Sequence, residues 1–266
     1  MGKLFAVVVA IIALVSAAIF ALHIWWLPPD ISAHGIRIDR QLSETMVSSG
    51  ILFVLAQLAL ALFVWRGSGG TARAIKTFPG GATPMVVLAL VLVGAEILVL
   101  TFVGSKVWAS IYQTPPDPNS LQIEVQAEQF AFYFRYAGAD GKFGAMHPEL
   151  MNDANENFFG LDPANDSTAR DDIVVGSLTI PVNHPILLRL HAKDVNHAFY
   201  VPELRIQQDF VPGMVIPLHF TATRTGKYEI VCTQLCGLGH YNMRAYIEVL
   251  PQDQFDQWLK VKAAQQ

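Results

Sequence analysis

Three long apolar runs followed by a change of period divide this chain in two. Residues 4–27 are broken only by Ser16 and His23, residues 46–65 by Ser48, Ser49, Gly50 and Gln57, and residues 85–103 by Gly94, Glu96 and Thr101. Each run is near the ~20 apolar residues that cross a hydrocarbon core about 30 Å thick. A single segment in lipid satisfies its own backbone only as a helix. The pattern therefore predicts membrane helices at about 4–27, 46–65 and 85–107. Pro115, Pro116 and Pro118 then end the helical pattern, and the period becomes 2. Leu121, Ile123, Val125 and Ala127 alternate with Gln122, Glu124, Gln126 and Glu128, a strand with one face buried. Strand-like runs recur at 173–180, 186–192, 215–222, 228–232 and 244–250, the spacing of a sandwich or barrel. Residues 137–172, rich in Gly, Asn, Asp and Pro, read as a long surface excursion. Beyond Pro251, Phe255, Trp258 and Leu259 form the apolar stripe of a short terminal helix. The expected domains are a transmembrane anchor over 1–112, a β domain over 113–251 and a short helix and tail over 252–266.

Composition agrees with a membrane anchor: 15% of the 266 residues are charged, against roughly 25% in soluble domains, and mean hydropathy is +0.36. The first run also has the look of a cleaved signal peptide, but it is longer than the 7–15 residues of a typical apolar signal core. A retained helix is expected, giving two or three membrane helices in all. Lys3, Arg66, Arg73 and Lys76 flank one side of the runs, and Arg37 and Arg40 fall in the opposite loop. The positive-inside bias then places the N-terminus and the 67–83 loop in the cytoplasm and everything after Tyr112 outside it. Trp25, Trp26, Trp108 and Tyr112 fall where an outer aromatic belt would lie. From Gln113 onward there are 18 acidic and 11 basic residues, and residues 140–172 hold 8 acidic against 2 basic. Such a face is either a solvated loop or a surface that steers a basic partner.

The chemistry concentrates in VCTQLCGLGHYNM, which holds both cysteines of the chain, Cys232 and Cys236, then His240 and Met243. A disulfide, favoured outside the cytoplasm, leaves His240 and Met243 without a purpose. Zinc would take Cys232, Cys236, His240 and a distant histidine, with no use for a thioether. Copper uses every group, since thiolate, thioether and imidazole all suit it. Two thiolates at this spacing can bridge two copper ions, and each ion then needs an imidazole. The loop supplies His240; in DVNHAFYVP, His197 precedes Cys232 by 35 residues and is the candidate for the second.

Cys232-x-x-x-Cys236-x-x-x-His240-x-x-Met243, with Asp194-Val195-x-His197 and Pro202 upstream, closely resembles subunit 2 of the haem–copper cytochrome c oxidases. The resemblance runs from the second and third helices to about Pro251. It implies a membrane-anchored all-β chain whose exported part is a cupredoxin-like Greek-key β-sandwich carrying the dinuclear copper centre CuA. Cys232 and Cys236 would bridge the coppers, His197 and Met243 would complete one, and His240 with the backbone carbonyl of Gln234 the other. It further implies an electron-input role: CuA takes electrons singly from cytochrome c or a similar respiratory donor and passes them to haem in subunit 1. Oxygen reduction and proton translocation belong to that subunit, and this chain has no catalytic residue of its own. The implied partners are subunit 1, other oxidase subunits, the donor and membrane lipid, with no nucleic acid. The implied location is the inner or plasma membrane of a bacterium, multi-pass, with the CuA domain on the periplasmic side.

Three positions depart from the family. Gln234 replaces a Glu whose side chain also reaches a magnesium ion at the subunit 1 border, and a neutral amide is a weaker ligand for that hard cation. Phe130 stands where relatives have the Trp at which electrons enter; it is expected on a strand face with Phe132, Phe134 and Tyr136, docking the donor. Val87 replaces an inner-membrane Glu that feeds protons to subunit 1, while Glu96 lies deeper, an intramembrane carboxylate and candidate for a proton path. A membrane-anchored copper chaperone or thiol reductase is the alternative reading. In such chaperones a Pro follows the second Cys and the His lies downstream, whereas Gly237 follows here and His197 is upstream. A copper-free quinol-oxidase subunit is disfavoured by the full ligand set, and no C-x-x-C-H marks a fused c-type haem.

Overall fold

The computed structural model describes residues 1–68 and 83–265, so Arg73 and Lys76 lie outside the described residues. The chain forms two compact units. One comprises residues 1–27 and 37–110, the other residues 28–36 and 111–266.

The first unit holds three helices long and apolar enough to cross a membrane, α1 (Gly2–Ala21), α2 (Gly35–Gly67) and α3 (Thr83–Tyr112). Their cores match the three apolar runs, but their ends differ. α1 stops at Ala21, because His23 and Trp25 take positive φ and turn the chain. α2 begins well ahead of the expected residue 46, taking in Arg37 and Arg40, and the Gly35 amide donates to Ser32 Oγ at 2.9 Å. Arg40 and Glu44 then pair one turn apart at 2.8 Å. The polar turns extend the helix past the hydrocarbon span that hydropathy alone detects.

The second unit is a sandwich of two five-stranded sheets. The first has the order β3-β2-β1-β5-β8, from β1 (Leu121–Glu128), β2 (Ala131–Tyr136), β3 (Ile173–Val175), β5 (Pro185–Ala192) and β8 (Ile216–Thr221). The second has the order β4-β10-β9-β6-β7, from β4 (Leu178–Pro181), β6 (His197–Val201), β7 (Ile206–Phe210), β9 (Gly226–Val231) and β10 (Arg244–Leu250). β1 runs parallel to β5 and β10 parallel to β4; the remaining pairs are antiparallel. Ile123, Val125, Phe134 and Leu188 of the first sheet and Phe199, Ile230, Ile247 and Val249 of the second fill one core. α4 (Gln252–Ala263) closes one side through Phe255, with Trp258 edge-on to Tyr136 at 5.2 Å. This is the cupredoxin-like arrangement expected from the motif.

Several strand assignments change in three dimensions. The run at 173–180 is two strands: the chain passes from the first sheet to the second at Gly176 and Ser177, and a linear pattern does not show that crossing. β7 was not expected, because its sequence IQQDF has apolar residues only at its ends. Residues 28–36, expected in the anchor, belong to the β unit: Ser32 bridges Ala222, and Ile31, 2% exposed, exchanges backbone bonds with Glu203 and Thr223.

The excursion at 137–172 is also more than a solvated loop. It carries no strand, only three short 3-10 turns, yet it covers the outer face of β1 and β2. That face holds Glu124, Gln126, Glu128 and Arg135, all buried instead of wetted. Burial of such groups requires partners. Arg135 pairs with Glu124 and with Asp172 at 3.2 Å, donates to the Gly144 carbonyl at 3.0 Å, and lies over the rings of Phe143 and Phe159. Lys193 pairs with Glu128 and Asp153.

Tyr136 fastens one sheet to the other. Its hydroxyl donates to the Thr179 carbonyl at 2.8 Å and accepts the Thr179 amide at 2.7 Å. Replacing Tyr136 by Phe leaves both buried backbone groups unpaired, at about 1–3 kcal/mol for each desolvated group. Denaturant unfolding of the detergent-solubilised Tyr136→Phe chain, followed through the β-unit signal, is expected to show a loss of about 2 kcal/mol.

Candidate metal centre

The candidate residues converge at one end of the sandwich. His197 is the first residue of β6, and residues 232–243 form the loop from β9 to β10. β6 and β9 are neighbours, with Tyr200 opposite Val231, so the sheet itself brings the two segments together. At the base of the loop the Cys232 amide donates to the Met243 carbonyl at 3.1 Å, and a short 3-10 turn over His240–Asn242 folds the far limb back.

The sulfurs of Cys232 and Cys236 lie 3.9 Å apart and both thiols are free. A disulfide bond would hold them at about 2.05 Å. Cys236 Sγ is 3.5 Å from His240 Nδ1 and 3.7 Å from Met243 Sδ, and Cys232 Sγ is 3.2 Å from the Gln234 carbonyl oxygen. One ligand atom from each of His197, Cys232 and Cys236 fits within a 4.8 Å group. Every metal candidate from the sequence is therefore in one cluster. His197 is fully buried and Met243 is 2% exposed, whereas His240 is half-buried.

His197 is oriented by Asp194, a residue whose part the motif alone did not assign, although it stands only three positions upstream. The Asp194 carboxylate meets His197 Nε2 at 2.8 Å, while buried His197 Nδ1 has no hydrogen-bond partner. A ring whose Nε2–H donates to a carboxylate presents the Nδ1 lone pair, the usual outer-shell arrangement of a metal-binding histidine. Asp194 itself stays ionised more readily than an ordinary Asp: burial opposes its charge, but His197 and the amides of Gln129 and Val195 more than compensate.

The two thiols are pushed in opposite directions. Burial disfavours a Cys232 thiolate, yet the His197 ring beside it and the Ala198 amide outweigh that and hold its pKa well below the ordinary thiol value. Cys236 is raised by burial and then by the neighbouring Cys232 charge. Two thiolates this close repel each other unless a cation lies between them. The donors present fit copper: two soft sulfurs with room between them, an unpartnered imidazole nitrogen, a second imidazole and a thioether. Zinc would leave the buried Met243 thioether unused.

Phe130 is not on the strand face expected for it. β2 starts at Ala131; Phe132, Phe134 and Tyr136 point into the core, while Phe130 is 39% exposed. Its ring lies over the ligand loop, where a Cβ on Gly239 would fall 2.5 Å from Phe130 Cδ2 and one on Gly237 would fall 3.2 Å from the ring. The two loop glycines were the available signal for this close approach. Glu96 lies in the helical unit, midway along α3, where Ser48 and Ser49 of α2 each donate to Oε1 at 2.8 Å.

Several known proteins resemble this chain. The family described as "Cytochrome C oxidase subunit II, periplasmic domain" matches residues 160–250. An alternative cytochrome c oxidase subunit 2 of Bradyrhizobium diazoefficiens is 31% identical over 257 residues, covering 96% of this chain and 90% of that one. A cytochrome c oxidase subunit 2 of Thermostichus vulcanus is 42% identical over 92 residues, 35% of this chain and 28% of that one. The solved periplasmic domain of subunit II of cytochrome oxidase from Bradyrhizobium japonicum superposes with a TM-score of 0.42 at 23% identity, covering 57% of this chain and 99% of that one. With a relative matched over nearly its whole length and residues 232–243 inside the region matched by the family model, this chain belongs to the cytochrome c oxidase subunit 2 family.

Proposed function

We propose that this chain is the electron-input subunit of its oxidase, with residues 232–243 and His197 holding a dinuclear copper centre. The observation that carries the reading is the convergence of two free thiols, two imidazoles, a thioether and a backbone carbonyl at one end of the sandwich. Cys232 and Cys236 would be shared by the two coppers, His197 and Met243 would serve one, and His240 with the Gln234 carbonyl would serve the other. Copper bound there supplies a one-electron acceptor whose charge is spread over two ions, which keeps the rearrangement on reduction small.

The residues of the chain do the rest. Asp194 fixes the His197 tautomer, and burial of His197 and Met243 keeps water from that side. His240, half-buried, would pass the electron on toward the haem-bearing subunit. Phe130, partly exposed above Gly237 and Gly239, offers an apolar contact for cytochrome c or another one-electron donor arriving on the periplasmic side. A phenyl ring is hard to oxidise, so it shortens the path without carrying charge itself. The helical unit anchors the chain in the bacterial membrane beside subunit 1.

The purified full-length chain, reduced and loaded in detergent, is expected to bind two copper ions, turn purple and show an electron paramagnetic resonance signal from one electron shared by two coppers. Cys232→Ser is expected to lose that shared signal. A copper-free, colourless wild type with Cys232 joined to Cys236 would instead mark a thiol-redox protein. In the assembled oxidase, Phe130→Ala is expected to retain its copper while donor oxidation slows roughly tenfold, about 1.4 kcal/mol in the barrier; an unchanged rate and donor affinity would remove Phe130 from the docking site.

A further inference from the structure

The ligand loop reaches far beyond the sheet that carries it, and its outer limb is fastened from the opposite sheet. Between Thr233 and Gly239 the hydrogen bonds among the described residues stay inside the loop, with one exception. Gln129 Nε2 donates to the Cys236 carbonyl. Gln129 follows the end of β1, and its own amide donates to Asp194 Oδ2 at 2.8 Å. Asp194 follows the end of β5, which pairs with β1 up to Ala127 and Ala192, and its other oxygen holds His197. The chain of contacts His197–Asp194–Gln129–Cys236 therefore closes a ring around the ligand cluster. Two of its members come from the first sheet and two from the second.

We propose that Gln129 is a positioning residue for the metal centre, clasping the Cys236 limb of the loop to the Asp194–His197 pair. The inference rests on the copper reading above and adds a residue to it. The side-chain amide crosses over Gly237, where a Cβ would fall 2.7 Å from Gln129 Nε2, so glycine at that position is what lets the clasp close. The loop has φ +138° there, a conformation open to glycine and strained for other residues. With its carbonyl held, Cys236 keeps its sulfur beside Cys232 Sγ without collapsing onto it. Released, the outer limb is free to close the two thiols into a disulfide, and the loop loses the arrangement that suits two metals.

Gln129→Leu keeps the bulk of the side chain and the backbone bond to Asp194 but removes the donor. The full-length detergent-solubilised chain would be measured in two ways. With copper, chelator competition and paramagnetic resonance report affinity and the copper hyperfine pattern; loss of an outer contact of this kind weakens metal binding by roughly 10–100-fold. The expected result is a drop of about tenfold with an altered hyperfine pattern, while the thermal unfolding of the β unit stays with the wild type. Without copper, the reduced chain is treated with oxidised glutathione, which is reduced to two thiols as Cys232 and Cys236 join; the variant is expected to lose its free thiols ahead of the wild type. Wild-type affinity, spectrum and thiol lifetime in Gln129→Leu would overturn the proposal. A wild type that binds no copper would overturn the copper reading instead, and the glutathione measurement would still decide on Gln129.

Discussion

Two sulfur anions a few ångströms apart inside a protein repel each other, and the second unit of this chain is arranged around that constraint. Cys232 and Cys236 lie within 4 Å, where screening by the protein is far weaker than in water. The site responds asymmetrically: His197 and a backbone amide favour charge on Cys232, while Cys236 resists it. A copper pair would relieve the conflict by placing positive charge between the sulfurs. A rigid sandwich is the right support for such a site, because the ligands must hold their places whether the metal is oxidised or reduced.

The sandwich provides that rigidity by tying its layers together at several points. Tyr136 joins β2 to the Thr179 backbone, Phe132 and Phe210 pack ring to ring across the core at 5.8 Å, and Gln129 links the end of β1 to the loop over residues 232–243. On the outer face of the first sheet, Arg135 anchors the excursion through Glu124, Asp172 and two aromatic rings. Burial of one cation with two carboxylates is costly, and the Arg135 guanidinium offsets part of that cost through its bonds to Glu124, Asp172 and the Gly144 carbonyl. The excursion thus stiffens the strand whose end carries Gln129, and its acidic residues outside that network remain on its surface.

Hydropathy found the three helices because lipid demands a long apolar run, but it missed the polar turns of α2, where no such demand exists. Alternation found β1, yet it expected Glu124, Gln126 and Glu128 to face water. A period-2 pattern reports which residues are apolar, and it does not report whether a distant loop will cover the polar face. β7 escaped for the same reason, its three central residues being polar although the strand sits beside β6.

The sequence by itself determined what the site is made of. Cys232, Gln234, Cys236, His240 and Met243 fall within twelve positions, and their types and spacing already select soft-metal chemistry, because a single loop can bring them together with little help from the rest of the fold. Only the tertiary structure decided how that chemistry is held: which nitrogen of His197 is open, that Asp194 orients it, that Phe130 lies over Gly237 and Gly239, and that Gln129 closes the ring. The Gln129 contacts join residues 65 and 107 positions apart. The first contact exists only once β1 has paired with β5 and the second only once the two sheets have packed face to face, and no local pattern encodes either.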